Sequence, residues 1–279
     1  MTEFISVFIM GLIFGSFINV VIYRLNPALK LKGGVFGRSM CPKCKTQLKW
    51  HDLIPVLSFV FLKGHCRYCD KKISWQYPIV EILSGLIWAG VFYKSCFYVN
   101  FSPFGSCPEG TQLLNIFYQI FILSSLLIIA VYDLNRRIIP DRIVYPAIAI
   151  VFLYNIFDFF KFQNLETFKL LNNIETFIWP LFTASVAFLF FFSIFYFSKG
   201  RAMGFGDVKL AFLIGLFLSP LLAVSAFILA FIAGAIFGII LLWLSNKTLK
   251  SQIAFGPFLV FGVFFAFFFS NFIIKFLIF

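Results

Sequence analysis

Apolar runs of membrane-spanning length recur from one end of this chain to the other. They lie at roughly 4–23, 78–94, 112–132, 142–160, 177–197, 207–219, 221–244 and 255–276. About 20 apolar residues in a helix cross the hydrocarbon core of a bilayer. Inside lipid, backbone amides must be satisfied within the segment, so such runs have to be helices. With 61% hydrophobic and 12% charged residues, the chain is too apolar for an ordinary soluble domain. The predicted fold is an all-α polytopic membrane protein with about eight transmembrane helices. The sixth run is short and is parted from the seventh only by Ser219 and Pro220. The first run lacks a basic start and a small-residue cleavage site, so it is read as a permanent helix.

Lys and Arg set the orientation, since cytoplasmic loops collect them. The loop 24–76 carries eleven, and alternation of the spans puts nineteen of the 23 on its side. Both termini are therefore expected outside and the loop in the cytoplasm. The net charge of +12 is mostly this topology signal. Its dispersal over loops argues for the lipid bilayer, and not nucleic acid, as partner.

That loop holds "CPKC" (41–44) and "CRYC" (66–69), two Cys-x-x-Cys knuckles 21 residues apart. Each knuckle can give two thiolates to one tetrahedral zinc ion. About fifty residues bury little core, so a metal cross-link explains how the loop folds. Cys41, Cys44, Cys66 and Cys69 are the expected ligands of a structural zinc; four cysteines leave no open position for catalysis. A redox pair is the weaker alternative. His51 and His65 share the loop but are not needed as ligands, and its Asp52 and Asp70 read as solvated ion-pair partners. Cys96 and Cys107 are placed to form a disulfide if their compartment is oxidising.

Four acidic residues stand out: Glu81, Asp133, Asp141 and Asp207. Asp141 follows Pro140 and suits the first turn of a helix, where a carboxylate complements the dipole. Asp133 ends a span, where the dipole disfavours negative charge. Asp207 stands in "MGFGDVKL" (203–210), behind Gly204 and Gly206. Those glycines are expected to permit unusual dihedrals and the close approach of an extended peptide. Asp133 and Asp207 fall at one membrane depth on one side. Two carboxyls sharing a site split their protons, one ionised to activate water and one protonated to polarise a carbonyl. That is aspartic-protease chemistry. Intramembrane carboxylates also mark cation paths, so a transporter stays open, as does a non-catalytic assembly scaffold.

The chain closely resembles the bifunctional type IV prepilin peptidases, Gly-x-Gly-Asp aspartic proteases of the inner membrane. The matching stretches are "GSFINVVIYRL" (15–25), "CPKC" (41–44), "HDLIPVLSFVFLKGHCRYC" (51–69), "ISWQYPIVE" (73–81), "DLNRRIIPD" (133–141), "MGFGDVKL" (203–210) and "FGPFLVFG" (255–262). The resemblance implies that Asp133 and Asp207 are the catalytic pair and that the loop cysteines hold zinc. It implies cleavage of short basic leaders from type IV prepilins or type II secretion pseudopilins, after a glycine on the cytoplasmic face. It further implies N-methylation of the new terminus by S-adenosylmethionine, an activity tied to the N-terminal part. No cofactor-binding residues can be named from the sequence. Glu81 falls in a matching stretch, for methylation or packing. On this reading 1–92 is the methyltransferase-associated part, 111–244 the peptidase, and 245–279 a C-terminal loop and last span. The one departure noticed is His65, where an arginine is commoner. Presenilin-like proteases are excluded: the only Pro-Ala-Leu, at 27–29, precedes the aspartates.

Overall fold

The computed structural model describes residues 2–25, 38–99, 110–161, 170–244 and 254–278. These are almost entirely helical: α1 (Thr2–Arg24), a 3-10 turn (Trp50–Leu53), α2 (Leu57–Phe61), α3 (Gln76–Val99), α4 (Gly110–Arg136), α5 (Asp141–Lys161), α6 (Leu170–Phe197), α7 (Phe205–Phe217), α8 (Pro220–Leu244), α9 (Gly256–Phe268) and α10 (Ser270–Ile278). Pairing outside helices is limited, among the described residues, to two isolated bridges in the cysteine loop. Cys107 lies outside the described residues, and the disulfide expected for it with Cys96 lies there too.

Among the described residues, six helices are long and apolar enough to cross a membrane, or seven if α9 and α10, bent by 81° at their junction, count as one span. The expectation of eight differs at α7. Its 13 residues reach about 20 Å at 1.5 Å each, short of a hydrocarbon core of about 30 Å. Leu218, in extended conformation, ends it, and Pro220 opens α8.

The chain forms two compact units, residues 1–128 and 129–279, with the boundary inside α4. In the first, α1 packs along α3. Gly11 and Gly15, one helical turn apart, face α3. A Cβ on Gly15 would stand 2.7 Å from Glu81 Cα, and one on Gly11 would stand 2.8 Å from Gly85 Cα. Small residues at four-residue spacing let backbones touch, which matters in lipid because apolar side chains gain nothing by leaving it.

In the second unit α6 packs on α7, α8 on α9 and α5 on α7. Phe191, fully buried on α6, meets Phe227 at 5.1 Å and Phe231 at 5.8 Å between ring centroids; Phe231 in turn meets Phe255 at 5.2 Å. This aromatic cluster fixes the residue that caps α9 and so positions Gly256 behind it.

Candidate functional site

Asp133 stands in the last turn of α4 and Asp207 in the first turn of α7, only 4% and 8% exposed. They are near enough for the charge of one to act on the other. Each accepts one backbone N–H from a helix N-terminus. Gly204, which caps α7, donates to Asp207 Oδ2 at 3.2 Å, and Gly256, the first residue of α9, donates to Asp133 Oδ2 at 3.1 Å. The amide from α9 answers the difficulty of a carboxylate at the C-terminal end of α4, because it presents the positive end of another helix. Gly256 lies in a matching stretch, yet sequence reasoning gave it no role. The Phe-Gly-Pro order, with proline inside a helix start, was the available signal.

The glycines before Asp207 act differently from expectation. Gly204 has φ −77° and ψ 151°, which any residue can adopt, and Gly206 lies within the helix. Neither has a positive φ. What matters at Gly206 is space: a Cβ there would stand 2.9 Å from the Cβ of Ile139, in the connection that follows α4. At Gly204 a Cβ would meet nothing closer than Asp207 Oδ2 at 3.6 Å, so the approach to that carboxylate is open on this side.

Asp141 opens α5, as expected, and its Oδ1 accepts from Lys209 Nζ at 2.7 Å. The ammonium also lies 5.0 Å from the Tyr145 ring centroid and 5.2 Å from that of Phe205. Asp141 thus ties the start of α5 to α7, two residues beyond Asp207.

In the first unit the four cysteines converge, their sulfurs all within 4.8 Å of one another. The two knuckles are built alike. Cys41 donates to Thr46 O at 3.0 Å and Cys66 to Lys71 O at 2.9 Å, while Lys45 and Asp70, each one residue past a second cysteine, have φ of 58° and 52°. A tetrahedral zinc site with bonds of about 2.3 Å sets its sulfurs about 3.8 Å apart, within that limit. The thiols also share charge unevenly. The Thr46 hydroxyl and amide hold Cys44 down at about 6. Cys69 is pushed up to about 11: the Lys71 amide favours its thiolate, but burial and the neighbouring sulfurs outweigh that. The set can hold a metal, and neither histidine is in it.

Asp52 is not the solvated residue expected. Its side chain is 3% exposed and accepts from Arg67 Nε at 2.8 Å, Tyr68 Oη at 3.0 Å and Lys49 N at 3.2 Å. Burial alone would raise its pKa, but those donors hold it below the usual carboxylate range. It therefore bolts the 3-10 turn to the second knuckle. Glu81, 7% exposed, accepts the Val56 N–H at 2.7 Å.

The Bacterial Peptidase A24 N-terminal domain matches residues 9–95, and the Type IV leader peptidase family matches residues 120–239. Relatives named prepilin leader peptidase/N-methyltransferase include one from Vibrio cholerae serotype O1, 34% identical over 234 residues, covering 80% of this chain and 82% of its own. Another, from Bacillus subtilis, is 30% identical over 271 residues, covering 97% of this chain and 96% of its own. A third, from Legionella pneumophila, is 29% identical over 293 residues, with 98% and 93% covered. No solved structure matches the chain. On the identity and coverage of these relatives, with buried aspartates and a four-cysteine cluster in a multi-pass helical frame, the chain belongs to the type IV leader peptidase family.

Proposed function

We propose that this chain is a membrane aspartic endopeptidase that removes the leaders of type IV prepilins or pseudopilins and then N-methylates the new terminus. The observation that carries the peptidase reading is the pair of buried carboxyls, Asp133 and Asp207, each accepting one backbone amide. One ionised carboxylate takes a proton from water, whose oxygen attacks the scissile carbonyl carbon. The protonated partner gives its proton to the carbonyl oxygen. On collapse the C–N bond breaks, and a proton passes to the leaving amine. The Gly204 and Gly256 amides steady the carboxyls while their charges change hands. The open side at Gly204 is where an extended leader would enter, at the cytoplasmic face of a bacterial inner membrane.

In this reading residues 1–92, with the loop 24–76, serve methylation and 111–244 serve cleavage. The bond from Gly256 to Asp133 supports drawing the segment 245–279 into the peptidase as well. Zinc, held by Cys41, Cys44, Cys66 and Cys69, is structural. S-adenosylmethionine supplies the methyl group. Among the described residues, the buried polar side-chain atoms without partners are Asn19 Oδ1, Ser84 Oγ and Trp88 Nε1 on α1 and α3, and Gln119 Oε1 and Ser124 Oγ on α4.

The test is co-expression with a candidate prepilin and measurement of the product's intact mass for wild type, Asp133→Asn and Asp207→Asn. Loss of the leader plus one methyl group in wild type, with neither variant cleaving, is the expected result. Cleavage that survives both substitutions would sink the aspartic mechanism, and cleavage without the methyl would remove the transferase. A scaffold or cation transporter would give no cleavage by wild type with any candidate.

A further inference from the structure

Between the two cysteine knuckles the segment 50–61 turns its apolar side chains outward. Trp50, Leu53, Ile54, Leu57, Val60 and Phe61 recur at spacings of three and four, and all are exposed, Phe61 by 80% and Trp50 by 78%. A loop surrounded by water would bury such a stripe or dispense with it. We propose that this segment is an interfacial anchor. Its stripe lies in the headgroup and upper acyl region of the bilayer, at the membrane face where α1 ends and α3 begins.

The hydrogen bond at Glu81 sets the depth. Glu81 lies five residues past the start of α3, about 8 Å along the axis at 1.5 Å per residue, and α3 is a spanning helix from Gln76. Its Oε2 holds the Val56 N–H at 2.7 Å. Val56 joins the 3-10 turn to α2, so the middle of the stripe sits level with the second turn of a membrane helix. Val56 also has φ 59°, a costly conformation for a β-branched residue, which persists only where its surroundings impose it. A buried carboxylate on its amide is such an imposition.

Charge and continuity select lipid as the occupant. The stretch 38–75 has eight Lys and Arg against two aspartates, complementary to an anionic leaflet, where each basic residue near the surface adds about 1 kcal/mol. Trp75, 70% exposed, sits one residue before α3, the place where interfacial tryptophans gather. Ile79, Ile82, Leu83 and Leu86 are exposed apolar residues of α3, as lipid-facing positions of a spanning helix would be. The two knuckles then act as a staple that keeps the stripe displayed without a core beneath it. The inference is independent of the catalytic assignment.

The test uses the full chain in anionic nanodiscs with Trp75, Trp88, Trp179 and Trp243 replaced by Phe, leaving Trp50 as the sole tryptophan. Lipids brominated near the headgroup end of the acyl chain are expected to quench Trp50, with blue-shifted emission and shelter from aqueous iodide. Quenching by iodide but not by bromolipid would overturn the proposal. Quenching by neither would do so too, since a protein surface would then cover the stripe. Should the four-fold variant fail to fold, the wild-type chain is photolabelled with a diazirine acyl lipid and mapped by mass spectrometry. Adducts within 50–61 support the anchor. Their absence there, while outward residues of α8 such as Val224 and Ile228 are labelled, overturns it.

Discussion

Gly256→Ala separates catalysis from folding. A Cβ on residue 256 would stand 2.7 Å from Asp133 Oδ2 and 3.3 Å from its Cγ. Ordinary contact begins near 3.4 Å, so the carboxylate must retreat by about 0.7 Å. The Gly256 amide, now 3.1 Å away, then loses its acceptor. A hydrogen bond to a charged group is worth about 1.5–3 kcal/mol, or roughly 10- to 150-fold in rate if it is felt in the transition state. A misplacement approaching 1 Å costs a similar amount, about a hundredfold. Against this, alanine for glycine in a helix gains at most about 1 kcal/mol of stability. The expected variant folds as well as wild type but cleaves about a hundredfold more slowly, through kcat more than KM. It still methylates a pre-cleaved substrate. Leader removal is followed by intact mass over time, with thermal unfolding in the same detergent. Gly234→Ala is the control, because its Cβ would meet ring carbons of Phe255 and Phe258 no closer than an ordinary 3.5 Å. A well-folded Gly256→Ala enzyme with wild-type cleavage would refute the view that this amide sets the Asp133 carboxyl.

Cys44→Ser removes one of four converging sulfurs and is expected to lower bound zinc below one ion per chain and to open the loop to protease, while α1 and α3 stay paired. Native mass spectrometry and limited proteolysis read both effects, and full zinc content would contradict a four-thiolate site. Asp52→Asn tests the bolt between the 3-10 turn and the second knuckle. The Asp52 carboxyl is depressed in the folded loop, so its contribution is present above the unfolded value near 4 and lost as pH falls through the lower folded value. Asn is therefore expected to loosen the loop at neutral pH and to flatten its pH dependence in the acid range. Hydrogen exchange at the 66–69 knuckle gives the readout, and equal protection at pH 7 would show that the bolt is idle.

The long apolar runs and the paired Cys-x-x-Cys knuckles were legible because each is a local pattern. A run of about twenty apolar residues specifies its own hydrogen bonding, and a knuckle specifies its own turn. The count of eight spans is not confirmed at α7, where the apolar composition continues across Pro220 but the helix does not. The glycine pair beside Asp207 was legible as a special place, though for the wrong reason. Space at Ile139 and an open face at Gly204 explain it, and positive φ does not. Asp52 read as a solvated charge because its partners lie 15 and 16 residues away, inside the second knuckle.

The partners of the buried carboxylates were hidden for a different reason. Asp133 is met by an amide 123 residues away, Glu81 by one 25 residues away, and Asp207 by one three residues back. In each of these three bonds the donor is main chain, which every residue but proline carries, so no side-chain motif can announce it, although the Ser16 hydroxyl also reaches Glu81. Two of these three sites leave an indirect mark. An amide that must come within hydrogen-bond distance of a carboxylate suits a residue without a side chain, hence Gly204 and Gly256. At Val56 the mark is absent, and there the backbone takes a strained φ of 59° instead. A glycine at 56 would relieve that strain and free the amide to drift from Glu81. The valine takes this conformation against its own preference, so it is the surroundings, the Glu81 carboxylate on its amide among them, that hold the segment against α3.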